Sequence, residues 1–176
     1  MKLFSRRLSE LYRVVTYLLL ILVTSCVNDD NGPVTSLEPG DRCPDFDITL
    51  NTGERVITSS LKGKTTMIVF FTTTCPDCQR ELPVIQKISD ELADNPSIRV
   101  VCIARDESDE TIAPFWESNG LTLPYSPQPD RTVYNLFASS IIPRVYIVDP
   151  SLTIIASWAE ILPDAETIIS GYLIPR

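Results

Sequence analysis

Two nearly continuous runs of apolar and β-branched residues predict the centre of a β-sheet. They are TTMIVFFT at residues 65–72 and SIRVVCIA at residues 97–104. Strands that are buried on both faces have this composition, whereas strands with one face in water alternate apolar and polar residues. Two further runs, at residues 144–149 and 153–158, flank a Pro-Ser turn and predict two more strands.

Helical spacing characterises the stretch between the first two runs. Its apolar residues recur at intervals of three and four: Leu82, Ile85, Ile88 and Leu92. This spacing predicts a helix over residues 75–93 with one buried face. Pro83 lies well inside the helix, so we expect a kink or a gap in the backbone hydrogen bonds there.

Shorter elements complete the pattern. An Asn-Thr-Gly turn joins strands predicted at residues 45–50 and 55–58 into a hairpin. The proline-rich residues 121–130 are expected to be irregular, with one short strand. Further helices are predicted at residues 110–119, 132–139 and 164–173. Strands that alternate with helices define an α/β domain around one central sheet.

The N-terminus has the pattern of a bacterial export signal. Four basic residues precede a ten-residue apolar stretch, residues 14–23, which is too short to span a bilayer. The following Val-Thr-Ser-Cys26 resembles the lipobox of lipoproteins, in which the cysteine is diacylated. We therefore predict a signal peptide over residues 1–25, lipid attachment at Cys26 and a flexible tether over residues 26–37.

The alternative is ordinary cleavage nearby, which would leave Cys26 as a free thiol. The protein is exported in both cases. With lipid attached, it is anchored in the bacterial cell envelope through its acyl chains, facing the periplasm or displayed at the surface.

Charge and composition exclude several function classes. The chain has 15 basic and 23 acidic residues, and without residues 1–25 the counts are 11 and 22. Such an acidic chain argues against nucleic-acid binding. The sequence has no histidine, which excludes Ser-His-Asp and Cys-His catalysis and removes the commonest metal ligand.

Cys75 and Cys78 lie where a buried strand is predicted to end and a helix to begin. A helix N-terminus stabilises an anion, and for Cys75 that anion is the nucleophilic thiolate. Pro76 in the first turn removes no helical hydrogen bond. Cys78 lies one turn further on, where it can attack a mixed disulfide at Cys75. The pair therefore predicts a thiol-disulfide couple that needs no cofactor and no metal.

Other uses of the cysteines fit less well. A structural zinc site normally needs four ligands, and a structural disulfide between cysteines three positions apart would close too small a loop to stabilise the fold much. Cys102 lies in the middle of a predicted strand, where cysteine usually behaves as a small apolar residue. A second redox couple between Cys43 and Cys102 remains an alternative.

The segment FFTTTCPDCQRELP at residues 70–83 resembles the active site of the thioredoxin-like superfamily. More narrowly, it is similar to the membrane-anchored TlpA/ResA-like thiol-disulfide oxidoreductases, a redoxin group related to AhpC/TSA proteins with the pattern CxxCxxExP. The residues that match this pattern are Cys75, Cys78, Glu81 and Pro83. The segment IIPRVYIVD at residues 141–149 is similar to the one that carries the family's cis-proline. Thr74 departs from the family, which often has Trp at this position.

The resemblance implies a thioredoxin-like fold over residues 38–176. It implies a central mixed β-sheet flanked by helices, with an N-terminal hairpin and a mid-chain helix–strand insertion. The substrates would be thiols and disulfides of exported proteins. The electron donor would be a membrane thiol transporter of the CcdA/DsbD type, the membrane would be contacted through the lipid anchor, and the protein would be a monomer.

The resemblance also assigns roles to single residues. It implies that Cys75 and Cys78 are catalytic as a redox-active disulfide and that Glu81 modulates proton transfer to them. Ile142 and a cis-Pro143 would contact the substrate. Asp77 lies between the two sulfurs, and because its charge opposes thiolate formation it should keep the couple reducing.

Two other function classes stay open. Thr72 to Pro76 contains TxxCP, which resembles the peroxidatic loop of the peroxiredoxins, so a thiol peroxidase is an alternative. That family also has a proline four positions before the threonine, where this chain has Ile68. A thioredoxin-fold binding module without turnover is the third class, and the intact cysteine pair argues against it.

Lipid attachment at Cys26 is directly testable. The lipobox-like sequence predicts that the protein fractionates with membranes and incorporates a labelled fatty acid. Cys26→Ser should abolish the label, because the acyl chains need the thiol. A wild-type protein that takes up no label would contradict the prediction.

Overall fold

The computed structural model describes residues 35–174, and the predicted signal peptide and Cys26 lie outside them. Strands and helices follow in the predicted alternating order. They are β1 Asp47–Thr49, β2 Arg55–Ile57, β3 Thr65–Phe71, α1 Pro76–Glu91, β4 Ile98–Ala104, α2 Asp109–Ser118, β5 Tyr125–Ser126, α3 Thr132–Asn135, β6 Arg144–Val148, β7 Ile154–Ala159 and α4 Ala165–Ile168. No helix within residues 35–174 is both long and apolar enough to cross a membrane.

Five strands form one mixed sheet in the order β5-β4-β3-β6-β7. β3 pairs in parallel with β4 and antiparallel with β6. All seven residues of β3 are buried, as the continuous apolar run predicts for a central strand. The sheet is flanked by helices, so the predicted thioredoxin-like fold is confirmed.

The predicted hairpin and insertion are also present. β1 and β2 form an antiparallel pair of their own, with Ile48 opposite Val56. The helix α2 and the two-residue strand β5 form the mid-chain insertion, and β5 extends the sheet beside β4.

Phe70 and Phe71, at the end of β3, pack on opposite faces of the sheet, since successive side chains of a strand point to opposite sides. The Phe70 ring centroid lies 5.0 Å from that of Phe137 and 5.3 Å from that of Tyr134. The Phe71 centroid lies 4.8 Å from that of Trp116 in α2. The end of β3 is therefore held by aromatic contacts on both sides.

The helix predicted at residues 132–139 is shorter, because its second half pairs with the N-terminal segment. Leu37 N–H donates to Phe137 O at 2.9 Å, and Ser139 N–H donates to Thr35 O at 2.9 Å. These bonds take backbone groups that a longer helix would use. They also show that Thr35 to Leu37, predicted as the end of the tether, are paired with the domain.

Two other helical predictions have different outcomes. α1 continues through Pro83, which is exposed, while the neighbouring Leu82 and Ile85 remain buried in the core. The last predicted helix starts as expected, with the Asp164 carboxylate accepting from Thr167 N–H at 2.9 Å. It then changes to a π-helical turn at Ile169–Leu173 instead of continuing as an α-helix.

Candidate active site

The cysteine pair lies at the junction of β3 and α1, as the sequence predicts. Cys75 is the N-cap of α1, with φ −83° and ψ 119°, and Pro76 is the first helical residue. Cys75 is half-buried, whereas Cys78 is completely buried. The helix start therefore presents the first sulfur and protects the second.

The segment that precedes β6 faces Cys75. The Cys75 thiol donates to Ile142 O, with Sγ and O 3.6 Å apart. The peptide bond between Ile142 and Pro143 is cis, as predicted. The Tyr134 hydroxyl holds this segment from behind, since it donates to the carbonyl oxygens of Ser140 and, at 2.8 Å, Ile141. The Ile142 carbonyl therefore lies against the Cys75 sulfur, and the cis-Pro143 follows it in the chain.

Burial raises the pKa of the Cys78 thiol well above its ordinary value. A hydrogen bond from the backbone of Thr72 and the positive charge of Arg105 both oppose this rise, while a hydrogen bond between the two thiols adds to it. The Arg105 guanidinium stacks on Tyr134, 5.2 Å from the ring centroid. Cys78 is therefore a neutral thiol in the reduced pair, and Arg105 is the nearby cation that favours its ionisation.

Glu81 lies on the same buried face of α1 as Cys78, three residues further on. Its side chain is only 6% exposed and accepts from Arg80 Nε at 2.9 Å. Arg80 also donates to Asp77 at 2.6 Å. The sequence indicated both carboxylates, but Arg80 was missed, although its spacing of three from Asp77 is a recognisable helical ion-pair signal.

A second group that the sequence did not indicate holds the loop before Cys75. The Glu107 carboxylate accepts from Thr73 N–H and from the Thr73 hydroxyl, each at 2.7 Å. The Gln79 side chain donates to Thr73 O at 2.7 Å. Glu107 is 34 residues from Thr73 and follows β4, so no local sequence pattern could have connected the two.

The other two described cysteines lie in the hydrophobic core. Burial raises the pKa of both Cys43 and Cys102 to about 12. All four cysteines within residues 35–174 are free thiols. In that part of the chain no cluster of three or more His, Cys, Asp or Glu side chains could hold a metal ion.

Comparisons with known proteins agree with this fold. The model of the AhpC/TSA family matches residues 39–157. The thiol-disulfide oxidoreductase ResA of Oceanobacillus iheyensis is 26% identical over 171 residues, which cover 94% of this chain and 85% of that protein. The thioredoxin-like protein YneN of Bacillus subtilis is 27% identical over 116 residues, or 64% of this chain and 66% of the relative.

Solved structures show the same architecture. A candidate protein disulfide isomerase from Bacteroides thetaiotaomicron is 30% identical, with a TM-score of 0.70, over 77% of this chain and 89% of that one. StoA from Bacillus subtilis has a TM-score of 0.59 at 22% identity, over 74% and 96% of the two chains. The fold and the comparisons define a thiol-disulfide oxidoreductase. The chain belongs to the AhpC/TSA family.

The contact between Glu107 and Thr73 predicts a loss of stability when it is removed. In Glu107→Ala the buried Thr73 N–H and hydroxyl lose their acceptor, so the free energy of unfolding should fall by about 1–3 kcal/mol. Denaturant unfolding of the reduced protein measures this change. Glu117→Ala, which removes an exposed acid from α2, is the matched control and should leave stability unchanged. A change below about 0.5 kcal/mol in Glu107→Ala would show that the contact does not hold the loop.

Proposed function

We propose that the chain reduces disulfides of exported proteins through the Cys75–Cys78 couple. The observation that carries this proposal is the asymmetry of the pair. The half-buried Cys75 sulfur faces the Ile142 carbonyl beside the cis-proline, while Cys78 is fully buried one turn further into the helix. A reductase needs this arrangement, with one sulfur open to the substrate and a second sulfur protected beside it.

The reaction consists of two exchanges. The Cys75 thiolate attacks one sulfur of the substrate disulfide, which breaks that bond, forms a mixed disulfide and releases the other substrate sulfur as a thiolate. Cys78 then loses its proton and attacks the Cys75 sulfur. This second exchange forms the Cys75–Cys78 disulfide and releases the second substrate thiol. Two electrons pass to the substrate, whose sulfurs take up two protons.

The second exchange requires Cys78 to ionise in a buried site. Glu81 lies on the same buried face of α1, where its carboxylate accepts a hydrogen bond from Arg80 Nε, and a carboxylate in this position can act as the proton acceptor. We assign it this role. The positive charge of Arg105 favours the Cys78 thiolate once the proton has left. We assign contact with the substrate to the exposed Thr74 and to the segment at Ile142 and Pro143, whose side chains are largely buried.

The proposal extends to the place of the reaction and its electron donor. The signal sequence and Cys26 support an exported protein that is anchored by lipid in the cell envelope. Oxidised Cys75–Cys78 must be reduced again, and in that compartment a membrane thiol transporter of the CcdA/DsbD type would supply the electrons.

Substitution of each cysteine tests the assignment. Cys75→Ser should abolish insulin reduction, because the attacking sulfur is lost. Cys78→Ser should accumulate mixed disulfides that non-reducing electrophoresis detects, because the second exchange cannot follow. Cys102→Ser, in the core, is the control and should keep activity. Insulin reduction by Cys75→Ser at the wild-type rate would overturn the proposal, and rapid peroxide consumption without insulin reduction would favour a thiol peroxidase.

The reduction potential of the couple is a further prediction. Asp77 lies between the two sulfurs and destabilises the Cys75 thiolate, so the reduced form is a good electron donor. We expect a potential nearer to about −270 mV, as in thioredoxin, than to about −120 mV, as in DsbA. Asp77→His should raise it by about 30 mV if the differential stabilisation changes by about 1.4 kcal/mol.

Equilibration with glutathione buffers, followed by acid quenching and alkylation, gives both potentials. Asp90→His places the same substitution near the other end of α1 and is the control. A wild-type value above about −180 mV would indicate an oxidant or an isomerase.

A further inference from the structure

The Arg80 guanidinium donates hydrogen bonds to three different residues. Its Nη1 lies 2.6 Å from Asp77 Oδ1, and its Nε lies 2.9 Å from Glu81 Oε1. Its Nη2 donates to Glu160 O at 2.9 Å. Three different nitrogens of one guanidinium therefore bind three acceptors. The three N–H donors of a lysine share one nitrogen, so they cannot reach three acceptors that are spaced around a guanidinium fork.

Two of these acceptors are negative charges beside the cysteine pair. Asp77 lies between the sulfurs in sequence, and Glu81 shares the buried face with Cys78. A carboxylate near a cysteine opposes its thiolate, and a cation paired with that carboxylate offsets the effect. Hydrogen bonds with Glu81 and Asp77 raise the pKa of Arg80, so its positive charge is permanent. Arg80 is half exposed, which screens its effect without removing it.

The charged residues that contact the cysteine pair or its neighbours come from three parts of the fold. They are Asp77, Arg80 and Glu81 on α1, Arg105 and Glu107 after β4, and Glu160 after β7. Arg105 acts on Cys78, and Glu107 is bound to Thr73. Arg80 is the cation that contacts both Asp77 and Glu81.

The third acceptor connects α1 to the loop opposite Cys75. Glu160 follows β7 and has a positive φ of 64°. Its N–H donates to Pro143 O at 3.0 Å. Pro143 follows Ile142, whose carbonyl accepts from the Cys75 thiol. A closed path of contacts therefore runs from Cys75 along α1 to Arg80, across to Glu160 and back through the cis-proline segment.

We propose that Arg80 is a positioning residue with two separable effects on the reaction. Its charge balances Asp77 and Glu81 beside the Cys75 thiolate, and its bond to Glu160 fixes the cis-proline segment against which a protein substrate is placed. The inference rests on the proposed role of Cys75 as the nucleophile.

Two substitutions separate the effects. Arg80→Gln removes the charge and the three-way contact, whereas Arg80→Lys keeps the charge but cannot bind three acceptors. Lys87→Gln removes an exposed cation from the same helix and is the matched control. Each protein is first shown to be folded by circular dichroism.

The first readout is alkylation of Cys75 by iodoacetamide across a pH series, quantified by peptide mass spectrometry. Arg80→Gln should be alkylated about two- to fivefold more slowly at neutral pH, because its thiolate is less stable. Arg80→Lys and Lys87→Gln should match the wild type, and Asp77→Asn combined with Arg80→Gln should recover most of the lost rate. If Arg80→Gln is alkylated like the wild type, or if Arg80→Lys is as slow as Arg80→Gln, the charge effect is refuted.

The second readout is kcat/KM for insulin divided by kcat/KM for Ellman's reagent. Arg80→Lys should lower this ratio, because a bulky substrate depends on the fixed loop and a small disulfide does not. An unchanged ratio in Arg80→Lys would refute the effect through Glu160. The alkylation readout needs no reductase activity, so a failure of the proposed function, seen as an active Cys75→Ser, is distinguishable from a failure of this inference.

Discussion

The hydrogen-bond pairing of β3 with strands on both sides determines where the groups of the site lie. β4 is parallel to β3, so the chain leaves both strands at the same edge of the sheet. β6 is antiparallel to β3, so the chain enters β6 at that edge. The loops that carry Cys75, Glu107 and Pro143 therefore meet. If the five-residue β6 ran in the other direction, Pro143 would lie roughly 17 Å away, at the far end of the strand.

Aromatic packing in the core supports this edge of the sheet, where the cysteine pair lies. Phe70 packs against Tyr134 on one face of the sheet, and Phe71 packs against Trp116 on the other. Tyr134 then uses its hydroxyl to hold the carbonyls before Pro143. A single aromatic side chain thus connects the core below the site to the loop that faces Cys75. Because interiors are close-packed, the loop cannot shift without disturbing those rings.

The sequence predicted what depends on local pattern. Continuous apolar runs identified β3 and β4, and the strand–helix junction identified the positions of Cys75 and Cys78. What it missed depends on contacts between distant residues. The bonds from Glu107 to Thr73 and from Arg80 to Glu160 are set by the pairing of the sheet, which no periodicity encodes. The shortened helix α3 has the same cause, since its lost turn pairs with the N-terminal segment.

The loop opposite Cys75 is held by bonds at both of its ends, and its backbone shows why they are needed. Ile141 has φ 71°, a left-handed conformation that is a true outlier for a β-branched residue and costs about 1–3 kcal/mol. Such a conformation persists only where the surroundings determine it. Here the Tyr134 hydroxyl holds the Ile141 carbonyl, and Glu160 N–H holds the Pro143 carbonyl. Glycine at residue 141 would remove the strain, but it would also give the segment the freedom that these bonds oppose. Contacts on either side of Ile142 therefore hold the backbone in a conformation that the chain alone would not prefer. As a result, the Ile142 carbonyl faces the Cys75 sulfur in one fixed direction.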